Sequence, residues 1–211
     1  MWSFIVKGGP VLWVIISLMA IAIWVVIERA LYYRKIKGDE GLLLQRVKSS
    51  LEKGHYDEAM AICDTSLSPI SALIKVGIEH KDSPEGVQKE CIKDAAAQEI
   101  PELEKHVSTL GTIAHIAPLL GLLGTVTGTM KAFGVLGRFG SVADPSVLAL
   151  GVSEALITTV GGIIVAVPCV VAYNILVRYV NNLIVKLEVQ VNSLIRIINK
   201  RLRQGGQVND L

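Results

Sequence analysis

The stretch Gly151-Val-Ser-Glu154-Ala-Leu-Ile-Thr158-Thr159-Val-Gly161-Gly-Ile-Ile-Val165-Ala-Val-Pro168 holds one carboxylate in an otherwise uncharged run. The run extends over residues 146–177, and Glu154 is its only Asp, Glu, Lys or Arg. A hydrocarbon core about 30 Å thick needs about 20 helical residues, so a run of this length reads as a membrane span. It is longer than the bilayer alone requires and should tilt or continue into water. A charged side chain at the centre of such a helix costs roughly 2.5–3.5 kcal/mol to insert, so Glu154 should face protein or water rather than lipid. Two readings of it stand side by side. It is either a structural carboxylate hydrogen-bonded near the outer interface or part of an ion path. Thr158 lies one turn further along with Gly161 and Val165. Thr159 lies about 140° round the helix and is expected to meet a different neighbour.

Two more runs have the same character. Residues 10–27 carry no charge, and Pro10 suits a first helical position, where its missing N–H is no loss. With no small-x-small site after it and Glu28-Arg29 following directly, this run reads as an uncleaved anchor. Residues 106–130 also lack Asp, Glu, Lys and Arg. Their core reads Gly111-Thr-Ile-Ala114-His115-Ile-Ala-Pro118-Leu-Leu-Gly121-Leu-Leu-Gly124-Thr125-Val-Thr-Gly128-Thr129. At about 100° per residue, Gly111, Ala114, Pro118, Gly121, Thr125 and Gly128 share one face. Gly124 and Gly128 form a small-xxx-small pair. Such a stripe lets helix backbones approach closely in lipid. It can equally line a narrow lumen with the Thr125 and Thr129 hydroxyls near it, opposite the Glu154 face. Both readings stay open.

The charges set the topology. Only Lys7 precedes the first run, whereas Arg29, Arg34, Lys35 and Lys37 follow it. Basic residues mark the cytoplasmic side, so the N-terminus is expected outside and residue 28 onward inside. The chain then divides into an outer segment 1–9, span 10–27, an inner helical domain 28–105, span 106–130, an outer loop 131–145, span 146–177, and an inner helix and tail 178–211. The segment 28–105 holds 12 of the 21 basic and 15 of the 19 acidic residues, as a solvated region should. Leu42, Leu43, Leu44, Val47 and Leu51 recur near helical spacing, and Gly54 ends that helix. Further helices are predicted to start near Tyr56, Pro69 and Ser83-Pro84-Glu85. Leu183, Leu187, Val191, Leu194, Ile195 and Ile198 make the tail an amphipathic continuation of the third span. The fold class is therefore an all-α integral membrane protein with three transmembrane helices, the second and third long and extending into a helical cytoplasmic domain.

Several functions are excluded or disfavoured. A formal net charge of +2 over 211 residues gives no electrostatic case for nucleic acid. Cys63, Cys91 and Cys169 match neither a disulfide framework nor a zinc spacing. No metal site, cofactor or nucleophile–base pair is expected, and the chain does not read as an enzyme. The glycines before Lys131 lack the GxxxxGK[ST] spacing of a phosphate loop. His115 is expected to bond a neighbouring helix, His55, His80 and His106 to be solvated, and Tyr173 and Asn174 to anchor the inner interface. A secondary transporter would show internal repeats, and none is found. A passive ion channel and a structural membrane scaffold remain as alternatives.

Pro118-Leu-Leu-Gly-Leu-Leu-Gly-Thr-Val-Thr-Gly128 resembles the second-span signature of the ExbB/TolQ/MotA proton-channel family. The run from Ser153 to Pro168 resembles the third-span signature, and Glu28-Arg29 is similar to the family's pattern at the end of the first span. Three spans resemble the ExbB/TolQ branch rather than the four-span MotA branch. The resemblance implies a homo-pentamer in a bacterial inner membrane, its second and third spans around a pore. It implies a dimer of a single-span ExbD/TolR-like partner in that pore, whose membrane Asp carries the ion, H+ by default. It further implies work delivered to an outer-membrane transport or envelope system through that partner. The family's functional positions fall on Thr125, Glu154 and Thr159.

Overall fold

The computed structural model describes residues 9–66, 68–139 and 145–208. Every regular element among them is an α-helix. They are α1 (Gly9–Lys53), α2 (Tyr56–Asp64), α3 (Pro69–Glu79), α4 (Glu85–Glu104), α5 (Val107–Phe139) and α6 (Pro145–Val208). Three contain stretches long and apolar enough to cross a membrane, within Gly9–Lys53, Val107–Gly134 and Leu148–Lys200. The chain folds as two units, Met1–Arg29 with His106–Val177, and Ala30–Lys105 with Arg178–Leu211.

The first unit packs three helices. Its outward surface is apolar: Trp13, Ile23 and Trp24 on α1, Leu119, Leu122 and Met130 on α5, and Leu156, Val160 and Ile164 on α6 are all exposed. Exposed side chains of that kind suit lipid, and the closest contacts between α5 and α6 are made by small residues. At the foot of this unit His106 adopts a left-handed backbone, φ +59°. Its ring lies 5.6 Å from that of Trp24, and its Nδ1 is 3.3 Å from Glu28 Oε2. Glu28 in turn accepts a hydrogen bond from Arg29 Nε at 2.7 Å, and Arg29 is buried. His106 is therefore an anchored turn residue rather than a solvated one. A left-handed conformation is costly for a residue with a Cβ and persists where neighbours hold it.

The second unit has a soluble core. Leu43, Val47 and Leu51 of α1 are buried, as are Ala59 and Cys63 of α2 and Ile70, Leu73, Ile74 and Ile78 of α3. From α6 it takes all six tail residues that the sequence placed on one side, Leu183 to Ile198. Gln88 of α4 is buried and donates Nε2–H to the Gly77 carbonyl at 2.7 Å. Tyr33 donates its hydroxyl to the Leu103 carbonyl at 2.7 Å and lies 5.0 Å from the Tyr179 ring. Gly54 ends α1 at φ +83°. The N–H of Gly54 reaches the Leu51 carbonyl at 3.1 Å and that of His55 the Ser50 carbonyl at 3.0 Å, the paired bonds of a Schellman cap.

Two expectations need correction or limits. Residues 131–139, expected in an outer loop, continue α5. Ala132 is buried against Gly151, where an added Cβ would stand 2.7 Å from the Ala132 Cβ. Packing of that closeness overrides weak local propensity. The rest of that loop, residues 140–144, and residues 1–8 of the expected outer segment lie outside the described residues. The third span and the tail form a single helix of 64 residues.

Candidate functional site

The site is the seam between α5 and α6. The two helices run antiparallel, and their contacts step regularly: Gly111 meets Tyr173, Gly121 meets Thr159, Gly128 meets Ala155, and Ala132 meets Gly151. A Cβ on Gly121 would lie 2.9 Å from the Thr159 Cα, and one on Gly128 would lie 2.8 Å from the Ala155 Cβ. On Gly124 it would overlap the Thr158 side chain, and on Gly162 it would sit 2.5 Å from the Ala117 carbonyl oxygen. Real Cβ atoms do not approach so closely, so only glycine permits this backbone separation. The small stripe of α5 is thus filled by α6 of the same chain. Of the two readings left open, helix packing accounts for Gly111, Gly121, Gly124 and Gly128; Ala114 is buried and Pro118 half-buried. Tyr173 packs its ring over Gly111.

The seam is tied by hydroxyls. Thr159 donates to the Gly121 carbonyl at 3.0 Å. Thr158, 2% exposed, donates to the Ala155 carbonyl at 2.7 Å and approaches the same Gly121 oxygen at 3.3 Å. Thr158 and Thr159 were expected to meet different neighbours. They straddle one carbonyl, because the α5 contact is centred between them at Ala155 and Gly162.

Each edge of the seam has its own chemistry. Along one edge lie Thr125, Thr129 and Thr159, all half-exposed. Thr125 gives its hydroxyl proton to the Leu122 carbonyl at 2.6 Å, and Thr129 to that of Thr125 at 2.8 Å. Their oxygens keep lone pairs free to accept. Along the other edge lies Glu154, half-buried in a pocket of about 240 Å³. Thr127, Lys131 and Thr158 line that pocket with Gly9 and Pro10 of α1. Glu154 Oε1 would stand 2.8 Å from a Cβ on Gly9, so the carboxylate rests against the start of α1. Gly161 likewise faces Leu12, and Val165 is buried. The Glu154–Gly161–Val165 face is therefore turned to α1. The small stripe borders Glu154: Gly124 and Gly128 line the same pocket.

His115 bonds its own helix, with Nδ1 2.7 Å from the Gly111 carbonyl oxygen, rather than a neighbouring one. Thr127 and Lys131 were not singled out in the sequence. The available signal was their spacing: with Gly124 and Gly128 they make an i, i+3, i+4, i+7 face. Among the described residues, no group of three His, Cys, Asp or Glu side chains is placed to hold a metal ion.

This glycine-locked pair, with hydroxyls on one edge and a lone carboxylate on the other, is built from the two motifs quoted at the outset. Residues 65–189 match the MotA/TolQ/ExbB proton channel family. The chain belongs to that family. Within it, the chain sides with ExbB and TolQ. The biopolymer transport protein ExbB of Aquifex aeolicus is 34% identical over 138 residues, 65% of this chain and 87% of that one. The Tol-Pal system protein TolQ of Haemophilus influenzae is 41% identical over 103 residues, 47% of this chain and 45% of that one. An ExbB homolog of Methanothermobacter thermautotrophicus is 29% identical over 187 residues, 86% of this chain and 64% of its own length. The chain thus spans less than two thirds of two of these three relatives. As a member of the proton channel family it is an integral membrane protein, and the α5–α6 seam is where its two family motifs meet.

Proposed function

We propose that this chain is the stator subunit of an inner-membrane motor driven by ion flow. Five copies surround a pore lined by α5 and α6, and a dimer of a single-span ExbD/TolR-like partner occupies it. The N-terminus is periplasmic and the C-terminus cytoplasmic. The chain works as a transducer, with no enzymatic activity and no cofactor; its cargo is the proton. The work passes through the partner to an outer-membrane transport or envelope system.

One observation supports this reading above the others: the half-exposed hydroxyls of Thr125, Thr129 and Thr159 lie together along one edge of the α5–α6 pair. A partner carboxylate moving along apolar surface must be neutral, and beside such hydroxyls it can ionise. One charge crossing 100 mV yields about 2.3 kcal/mol, so a few ions per cycle drive a conformational step of several kcal/mol.

The test is ion flux in proteoliposomes, with and without the co-purified partner, alongside the subunit ratio by native mass spectrometry. Partner-dependent flux at a ratio of five to two is expected. Flux through this chain alone identifies a passive channel. Absence of flux in both samples leaves a structural scaffold and sinks the proposal.

A further inference from the structure

The pocket around Glu154 is lined by the oxygen-bearing side chains of Thr127 and Thr158 and by Lys131. The Thr158 hydroxyl gives its proton to the Ala155 carbonyl, and the Thr127 hydroxyl to the Leu123 carbonyl at 2.9 Å. Both oxygens therefore keep lone pairs available, and Glu154 adds two more oxygens. A carboxylate and two hydroxyl oxygens are the hard ligands that a hard cation such as Na+ accepts. Against this stands Lys131, one turn beyond Gly128 on α5, lining the same pocket. It is the only cationic side chain among the described residues that does so; α1 contributes Gly9, Pro10 and Val11, none of them titratable. Lys131 is exposed and carries its ammonium on a flexible four-carbon stem.

We propose that Lys131 is a tethered cation that denies this oxygen cluster to Na+ and leaves the proton as the ion Glu154 exchanges. The inference rests on the proton-driven stator reading, takes for Glu154 the second of its two readings, a part of the ion path, and adds the residue that selects the ion. An ammonium is compact, strongly hydrated and positively charged, so it occupies the field that a metal cation would otherwise neutralise. A proton added to Glu154 needs no such space. It joins the carboxylate itself and leaves Lys131 to solvent. Lys131 acts here as a positioning residue, through charge.

The test uses the full chain in lipid nanodiscs and needs no motor output. Infrared difference spectra are recorded as Na+ replaces N-methylglucamine at constant ionic strength, and Glu154→Gln identifies the carboxylate bands of Glu154. The wild-type chain should show no Glu154 band that responds to Na+ in the physiological range. Lys131→Met and Lys131→Gln should each gain one, with apparent Na+ affinity higher by about tenfold or more. Lys131→Arg, which keeps the charge, should behave as wild type. Should the Met variant fail to fold, the Gln variant decides. A Glu154 band responding to Na+ in the wild type, or none in either neutral variant, overturns the inference. Both results leave partner-dependent proton flux untouched, so failure here is separable from failure of the stator reading.

Discussion

Thr159 of α6 donates its hydroxyl to the Gly121 carbonyl of α5 at 3.0 Å, crossing from one membrane helix to the other. The bond is possible because Gly121 has no side chain: a Cβ there would press on the Thr159 backbone at 2.9 Å. Glycine and hydroxyl are thus one device, in which close approach makes the bond and the bond fixes the approach. Glu154 lies on the opposite edge of this seam and takes no part in it.

Removing the hydroxyl while keeping the shape separates these roles. Thr159→Val should cost the helix pair about 0.6 kcal/mol, the average for an interhelical bond in lipid. Thr159→Ser should recover it. Ion-driven flux of the co-purified complex should fall in the Val variant and persist in the Ser variant. Equal flux in both would remove the Thr159 hydroxyl from the ion path.

The glycines of α5 should divide sharply by position. Gly128→Ala places a Cβ 2.8 Å from that of Ala155 and should destabilise the chain by about 1–3 kcal/mol, as overpacking does. Gly134 has no atom within 4 Å of its added Cβ, so Gly134→Ala should be neutral or stabilising by up to about 1 kcal/mol. Thermal unfolding in detergent, followed by circular dichroism, checks both.

Gly54→Ala tests the cap of α1. Its φ of +83° admits glycine and strains a residue with a Cβ, at a cost of about 1–2 kcal/mol. Asn tolerates this region better than Ala does, so Gly54→Asn should be less harmful. A lower unfolding midpoint in the Ala variant than in the Asn variant is the expected order.

Cys63 supplies a pH signature. Burial pushes its thiol up from 9.0 to about 11. The folded state therefore holds a proton that the unfolded state releases. Stability from this group is fully present below pH 9 and is lost as pH rises towards 11. The loss of unfolding midpoint across that window should be smaller in Cys63→Ala than in wild type. Maleimide should also modify the partly exposed Cys91 before the buried Cys63, and reversed labelling would contradict the core of the second unit.

Much of this was legible along the chain. Uncharged run length marked three spans, because lipid thickness sets helix length whatever the neighbours do. Gly54, Pro69 and Pro84 marked helix ends through local backbone chemistry, and α1 to α4 begin or end beside them or other capping residues. The six apolar tail residues marked a buried face through period alone. The family motifs located both halves of the seam. Each of these is a property of one helix or one turn.

What the sequence left open was phase. A period near 100° per residue says which side chains share a face, and not which helix that face meets. Only the fold placed the small stripe of α5 against α6 and turned Glu154 towards Gly9, away from the edge that carries Thr125 and Thr159. Only the fold carried α5 past Lys131 and brought that lysine to the carboxylate's pocket. The sequence by itself determined three membrane helices and the two motifs of a proton channel family. Tertiary structure decided which oxygens and charges stand together, because that depends on the register of one helix against another, and interlocked glycines and side chains set the register.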